Sequence, residues 1–158
     1  MKHLIVYYSL TKKTKIAANV IAAELKSDIR EISEKKKRNG FLVYFSGGFQ
    51  AVNEKSSLIN DMDFTTTGYD EITLCTPVWG GHQSPAMNSF ISRADLKDKK
   101  VNLFMTQGGP SPERALENFR RKVESYGGKV NRKIFMSTGL LKKEQIEKFA
   151  KELAAKLK

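Results

Sequence analysis

Short uncharged runs alternate along this chain with stretches that place an apolar residue at every third or fourth position. Residues 4–8, Leu-Ile-Val-Tyr-Tyr, form the first such run, as expected of a strand covered on both faces of a parallel sheet. A helix is predicted over 12–26, where Ile16, Val20 and the Ala17, Ala18, Ala22, Ala23 set recur at helical spacing, and its small residues let it lie close on a sheet. Residues 29–32 alternate as a short strand, and 33–40 read as a polar, basic loop. Residues 41–45 have the composition of a strand. Gly47-Gly48 interrupts them, however, and Phe41, Tyr44, Phe45, Phe49 and Val52 fall near helical spacing, which favours a short helix or a hydrophobic flap. After a polar connection over 61–68, residues 71–75 form the next strand and end in Thr76-Pro77. Ser84-Pro85 then starts a helix, with Ser as N-cap and Pro in its first turn, that turns Met87, Phe90 and Ile91 inward. A strand over 101–106, a turn over 107–112 and a helix over 113–126 follow, and Gly127-Gly128 stops the helix where a left-handed cap is needed. The last strand covers 130–137, Gly139 breaks it, and 142–156 is an amphipathic helix with Ile146, Phe149, Ala150 and Leu153 towards the sheet.

Strand and helix therefore alternate through one α/β domain, residues 1–158, with a parallel sheet covered by helices on both faces. Ligands in such folds bind beyond the carboxyl ends of the strands, where the winding reverses. The loops leaving strands one, three and four, residues 9–14, 76–84 and 106–113, are the chemically richest in the chain. In a sheet of order 2-1-3-4-5 those strands are neighbours, and the loops converge.

Composition removes several alternatives. The chain is 40% apolar with no run long enough to span a membrane, and the first strand begins at once, leaving no room for a targeting segment, so the expected location is the cytoplasm. One cysteine, Cys75, excludes an internal disulfide framework and reads as a small core residue. His3 and His82 are not spaced as metal ligands, and His82 reads as a loop hydrogen-bonder. Lys and Arg number 28 against 17 Asp and Glu, a formal charge of +11 that would assist contact with nucleic acid, an anionic membrane surface or an acidic protein. The basic residues are spread, apart from Lys35-Lys36-Lys37-Arg38, and no nucleic-acid module is present, which argues against nucleic-acid binding as the primary role.

The first loop carries anion chemistry. Ser9, Thr11 and Thr14 place hydroxyls where a helix's first N–H groups lack intrahelical partners, and Lys12, Lys13 and Lys15 add positive charge. Thr11 as a plain N-cap, with solvated lysines, explains the same residues equally well. Trp79, directly after a strand and before Gly80-Gly81, suits either packing or stacking on a ligand ring. Gln107, Gly108 and Gly109 suit a simple turn or a set of donors.

With these residues in view, the sequence resembles a flavodoxin. Ser9-Leu-Thr-Lys-Lys-Thr14 is similar to that family's phosphate loop, and residues 69–81, ending Thr-Pro-Val-Trp-Gly-Gly, to its third strand and first flavin loop. The short passage over 134–142 is similar to the short-chain members. The resemblance implies a flavodoxin-like three-layer sandwich with a five-stranded parallel sheet of order 2-1-3-4-5. It implies FMN held by Ser9, Thr11, Lys12, Lys13 and Thr14, by Pro77, Val78, Trp79, Gly80 and Gly81, and by Gln107, Gly108 and Gly109. It further implies an electron carrier without catalytic side chains, its flavin moving between oxidised, one-electron and two-electron reduced states. The alternatives are an FMN-dependent NAD(P)H:quinone-type oxidoreductase and a flavin-free module for another phosphate ligand. The absence of a second nucleotide fingerprint favours the carrier. Two departures stand out: Lys12 occupies a position usually held by Gly, and the 107–110 loop lacks the Tyr that many relatives stack on the outer flavin face. Relatives are also acidic around the flavin, whereas 79–84 and 107–112 contain no Asp or Glu, which implies redox partners with an acidic docking face.

Overall fold

The structure, a computed structural model, describes residues 1–36, 56–109 and 112–157. The flap expected over 41–52 and part of the 107–112 turn lie outside these residues.

Five parallel strands form the sheet: β1 (His3–Tyr7), β2 (Asp28–Glu31), β3 (Glu71–Trp79), β5 (Lys100–Gln107) and β6 (Lys129–Ser137). A sixth, β4 (His82–Gln83), pairs antiparallel with the end of β3. The order is β2-β1-β3-β5-β6, which is the expected order with β4 added beside it. Register runs Leu4 to Asp28 on one side of β1 and Leu4 to Ile72 on the other, and Cys75 lies opposite Phe104. Helices α1 (Lys13–Leu25) and α4 (Lys143–Ala155) cover one face, and α2 (Pro85–Ile91) and α3 (Glu113–Ser125) the other.

Alternation along each strand builds the two cores. Leu4, Val6, Ile72, Leu74 and Leu103 point towards Phe90 of α2 and Phe119 of α3. Ile5, Cys75 and Phe104 point the other way, against Ala17, Ala18 and Ile21 of α1 and Ile146 and Ala150 of α4. Both faces being dry, a charge anywhere in the middle of β1 would cost several kcal/mol, on the order of the desolvation penalty for a buried ion, and the sequence places none there. The alanine stripe explains why α1 and α4 can share one face of a short sheet.

Several boundaries and faces differ from expectation. The buried stripe of α1 is Thr14, Ala17, Ala18, Ile21 and Ala22, while Ala23 is exposed. The sequence pattern places Phe149 against the sheet; it is 43% exposed, because Ala150 and Ala154 take the buried positions and leave no room behind a larger ring. The segment from Thr76 to Ser84 is not a loop. β3 continues to Trp79 and folds back through a two-residue turn, since the β-branched and aromatic pair Val78-Trp79 extends the strand and Gly80-Gly81 supplies the reversal. Ser84 caps α2 as expected, its Oγ accepting from Met87 N at 3.3 Å. Gly127, at φ +83°, ends α3 in the left-handed region.

Candidate functional site

A cleft of about 350 Å³ opens at the carboxyl ends of β1, β3, β5 and β6. The β1–α1 loop contributes Leu10, Thr11, Lys13 and Thr14, and the end of β3 with its turn contributes Pro77, Val78, Trp79 and Gly80. Thr106, Gln107 and Gly108 come from β5, and Thr138 and Gly139 from the loop after β6. Of the residues singled out in the sequence, Thr11, Lys13, Thr14, Pro77, Val78, Trp79, Gly80, Gln107 and Gly108 are thus brought together. Ser9, Lys12, Gly81 and Gly109 do not line the cleft. Leu10 and Thr106, which lie in the named loops but are not singled out there, and Thr138 and Gly139, in a loop that sequence reasoning missed, also line it. Thr106 could have been singled out, because it joins a buried strand to the chosen loop; the fifth loop offered only Gly139 as a signal.

At the start of α1 the geometry is that of an uncapped helix. Lys12, not Thr11, is the N-cap; it has φ +67° and ψ −11°, and its side chain makes no capping bond. Thr11 therefore does not serve as the plain cap that the sequence allowed. The first-turn N–H groups stay without a side-chain acceptor, and the positive end of the helix points at the cleft. In the loop before it, the Ser9 Oγ is buried and has no hydrogen-bond partner among the described residues. A buried hydroxyl left unpaired costs about 1–3 kcal/mol, which an incoming acceptor or donor would recover.

The other two hydroxyls differ. Thr14 is buried and its Oγ1 lies 2.8 Å from Thr106 Oγ1, tying α1 to β5. Thr11 is exposed. Among the lysines, only Lys13 reaches the cleft, its Nζ donating to the Thr138 carbonyl at 2.7 Å and also to the Gly139 carbonyl. Lys15 turns to Glu31 at 2.7 Å, and Lys12 faces the groove between α1 and α4 together with Lys15 and Lys143. Tyr7 lies beside that ion pair, its phenol pushed up to about 12 by burial and by the Glu31 carboxylate.

On the far wall, Trp79 is half-buried and meets Tyr8 edge to face, with ring centroids 5.7 Å apart and planes at 88°. The Tyr8 hydroxyl donates to Glu34 Oε2 at 2.7 Å. Gly80 and Gly81 both have positive φ, +55° and +79°, the combination a two-residue type I′ hairpin requires. Asn118 of α3 pins this turn by donating from Nδ2 to the Gly81 carbonyl at 2.9 Å, and lies 3.4 Å from His82 Nε2. His82 is thus a hydrogen-bonding residue of the hairpin, as expected. Behind it, the Thr76 and Ser84 hydroxyls are 2.9 Å apart and Gln83 donates to Asn88 at 2.6 Å, so the wall is braced by buried polar contacts. Cys75 is fully buried and burial pushes its thiol up, which leaves it an inert core residue.

Among the described residues no Asp or Glu lines the cleft. Among the described residues no group of His, Cys, Asp and Glu is placed to hold a metal ion, and no helix is long and apolar enough to cross a membrane. The site is an anion-seeking helix start set opposite an aromatic wall.

The sequence model of the Flavodoxin family matches residues 2–153. The chain belongs to the flavodoxin family. Solved structures share the fold: a protein from Bacteroides eggerthii DSM 20697 has a TM-score of 0.75 at 19% identity, covering 98% of each chain. A Lactobacillus acidophilus NCFM flavoprotein, solved in complex with FMN, has a TM-score of 0.69 at 21% identity over 85% of this chain and 92% of its own. The two-electron reduced flavodoxin of Megasphaera elsdenii has 0.55 at 20% identity over 97% and 98%. A search of the curated proteins finds no match.

Proposed function

We propose that this chain binds FMN in the cleft and serves as an electron-transfer protein between partner proteins. The observation that carries the reading is the uncapped helix start that brings Thr11, Lys13 and Thr14 to a cleft whose opposite wall is Trp79. The residues fit the cofactor. A phosphate would be held by the first-turn N–H groups, the Thr11 hydroxyl and the Lys13 charge, with the buried Ser9 hydroxyl in the same loop, and a flat ring would lie on the Trp79 wall. FMN supplies the one- and two-electron redox chemistry when bound. The family resemblance and the FMN-bound relative from Lactobacillus acidophilus support the same cofactor.

The chain's own groups hold position and set the field. Lys13 fixes the fifth loop to the start of α1, and Asn118 fixes the second carbonyl of the Gly80-Gly81 turn. The peptide between the two glycines has no Cβ on either side, so it can rotate at little cost and would be able to offer its carbonyl to a donor on a bound ring. With no carboxylate in the lining among the described residues, a negative charge on a bound ring would meet less repulsion than in an acidic cleft. The basic surface suits a partner with an acidic face. The test is FMN titration by fluorescence quenching of the parent and of a Thr11→Ala/Ser9→Ala pair: one site in the parent and at least ten-fold weaker binding in the pair support the reading. Unchanged affinity rejects the phosphate assignment.

A further inference from the structure

Tyr8 directly follows β1 and precedes the loop that opens the cleft, and it is 4% exposed. Its backbone is held to β3, the Tyr8 N–H donating to the Cys75 carbonyl at 3.0 Å. Its ring reaches the other wall of the cleft, where it meets Trp79 at close to a right angle with centroids 5.7 Å apart. An edge-to-face pair prefers one relative tilt over others, so the tyrosine ring limits how the indole can swing.

The phenol is anchored in turn. The Tyr8 hydroxyl donates to Glu34 Oε2 at 2.7 Å, a bond strengthened by the charge on the carboxylate. The acceptor is fixed by backbone pairing: Glu34 bridges antiparallel to Ile59, the Lys35 N–H donates to the Leu58 carbonyl at 2.9 Å, and the Asn60 N–H to the Ser33 carbonyl at 2.8 Å. Ile59, 1% exposed, roots this short ribbon in the same core as Tyr8. A carboxylate, a phenol and an indole are therefore linked in series, and of the three the indole lines the cleft.

We propose that Tyr8 is the positioning residue of the aromatic wall: braced by Glu34, it holds the Trp79 ring in the plane that stacks on a flat ring in the cleft. The identity of that ring rests on the FMN reading, whereas the brace itself does not. A wall already held still loses less side-chain freedom when a ring arrives, which is the advantage of a site whose rotamers are locked from behind. Packing alone would be satisfied by any apolar side chain in this core. It leaves unexplained a hydroxyl directed at a carboxylate that the backbone holds in place.

Trp79 is the chain's single tryptophan, so the long-wavelength edge of the near-ultraviolet circular dichroism, where tyrosine does not absorb, reports the brace in the flavin-free protein. Tyr8→Phe keeps the ring and cuts the bond to Glu34; Tyr8→Leu removes the ring as well. The Trp79 dichroism should weaken in Tyr8→Phe and be lost in Tyr8→Leu, with riboflavin bound about three-fold and about ten-fold more weakly. The ratio of FMN to riboflavin affinity should keep its parental value, because the phosphate contacts are untouched. Far-ultraviolet dichroism checks that each variant is folded, and should Tyr8→Leu not fold, Tyr8→Phe decides alone. Parental Trp79 dichroism in folded Tyr8→Phe, or parental riboflavin affinity in it, overturns the proposal. A parent that binds neither flavin, with the Trp79 signal still falling across the variants, would instead reject only the cofactor reading.

Discussion

The Lys13 ammonium donates to the Thr138 carbonyl at 2.7 Å, joining the first turn of α1 to the loop that follows the last strand. The contact carries the cleft's positive charge and closes its floor at once. Lys13→Met should therefore lower stability by about 1.5 kcal/mol, at the low end for a hydrogen bond to a charged group because the side chain is partly exposed, and weaken FMN binding as well. Thermal unfolding of the flavin-free protein, expected to fall by about 4 °C, separates the two effects. A variant as stable as the parent would show the tether to be idle.

Lys12 sits at φ +67°, a region that costs an L-residue about 1–2 kcal/mol. Lys12→Gly should raise stability by about 0.5–1 kcal/mol once glycine's larger unfolded-state entropy is counted. Lys12→Ala keeps the strain while removing a positive charge from the helix start, so the glycine variant should unfold at higher urea than the alanine variant. Equal midpoints would mean that the loop relaxes around any residue.

How much of this could be read beforehand depends on what each residue's environment exposes in the sequence. The run Leu4 to Tyr8 and the pair Ser84-Pro85 announce their structures because local pattern and tertiary role agree. The departure at Lys12 was legible as a question, since glycine's usual place implies positive φ, and the structure answers it. The hairpin after Trp79 was not, because Thr-Pro-Val-Trp reads equally as strand end or loop until its partner His82-Gln83 is known to fold back. Thr138 joins the site only through sheet order, which brings the end of β6 beside that of β5, and no local signal marks it. Phe149 fails for a geometric reason: helical periodicity fixes a stripe but not its centre, and here the centre falls on the alanines.

Far from the cleft, His3 is buried and its Nε2 lies 2.8 Å from Thr73 Oγ1. Burial holds its pKa below the ordinary value of 6.5, outweighing the nearby Glu71 carboxylate. The unfolded chain then binds a proton that the folded chain resists, so stability is unaffected well above 6.5 and falls as pH drops below it. Urea midpoints measured between pH 7.5 and 5.5 should decline in the parent and decline less in His3→Gln. Parallel declines in the two would assign the slope to other groups.

The bare-backbone contact between Gly139 and Gly108 leaves no room for a side chain. Gly139→Ala must displace the loop after β5, and we expect a loss of about 1–3 kcal/mol, as for an overpacked site, together with weaker flavin binding. Gly81→Ala meets open space and should suffer only from its φ of +79°, so it serves as the comparison. Should Gly139→Ala retain parental stability and affinity, the approach of the loops after β5 and β6 would have to be more compliant than the contact implies.

The absence of carboxylates from the cleft lining among the described residues and the formal charge of +11 bear on redox balance and on docking. The second reduction potential of the bound flavin should be less negative than in flavodoxins with acidic clefts, and association with an acidic redox protein should weaken steeply with ionic strength. Spectroelectrochemical titration and association rates over a salt series are the measurements. Indifference to salt would remove charge from the account of partner choice.

Equilibrium titration of the flavin-free protein with FMN and with riboflavin, each followed through Trp79 fluorescence and flavin absorbance, addresses the central claim most directly. The account predicts one FMN site that quenches Trp79, weaker riboflavin binding that Trp79→Ala weakens further, and at least a ten-fold loss for FMN when Ser9 and Thr11 are both alanine. A protein that takes up neither flavin, or binds both equally well with Trp79 unquenched, would contradict it.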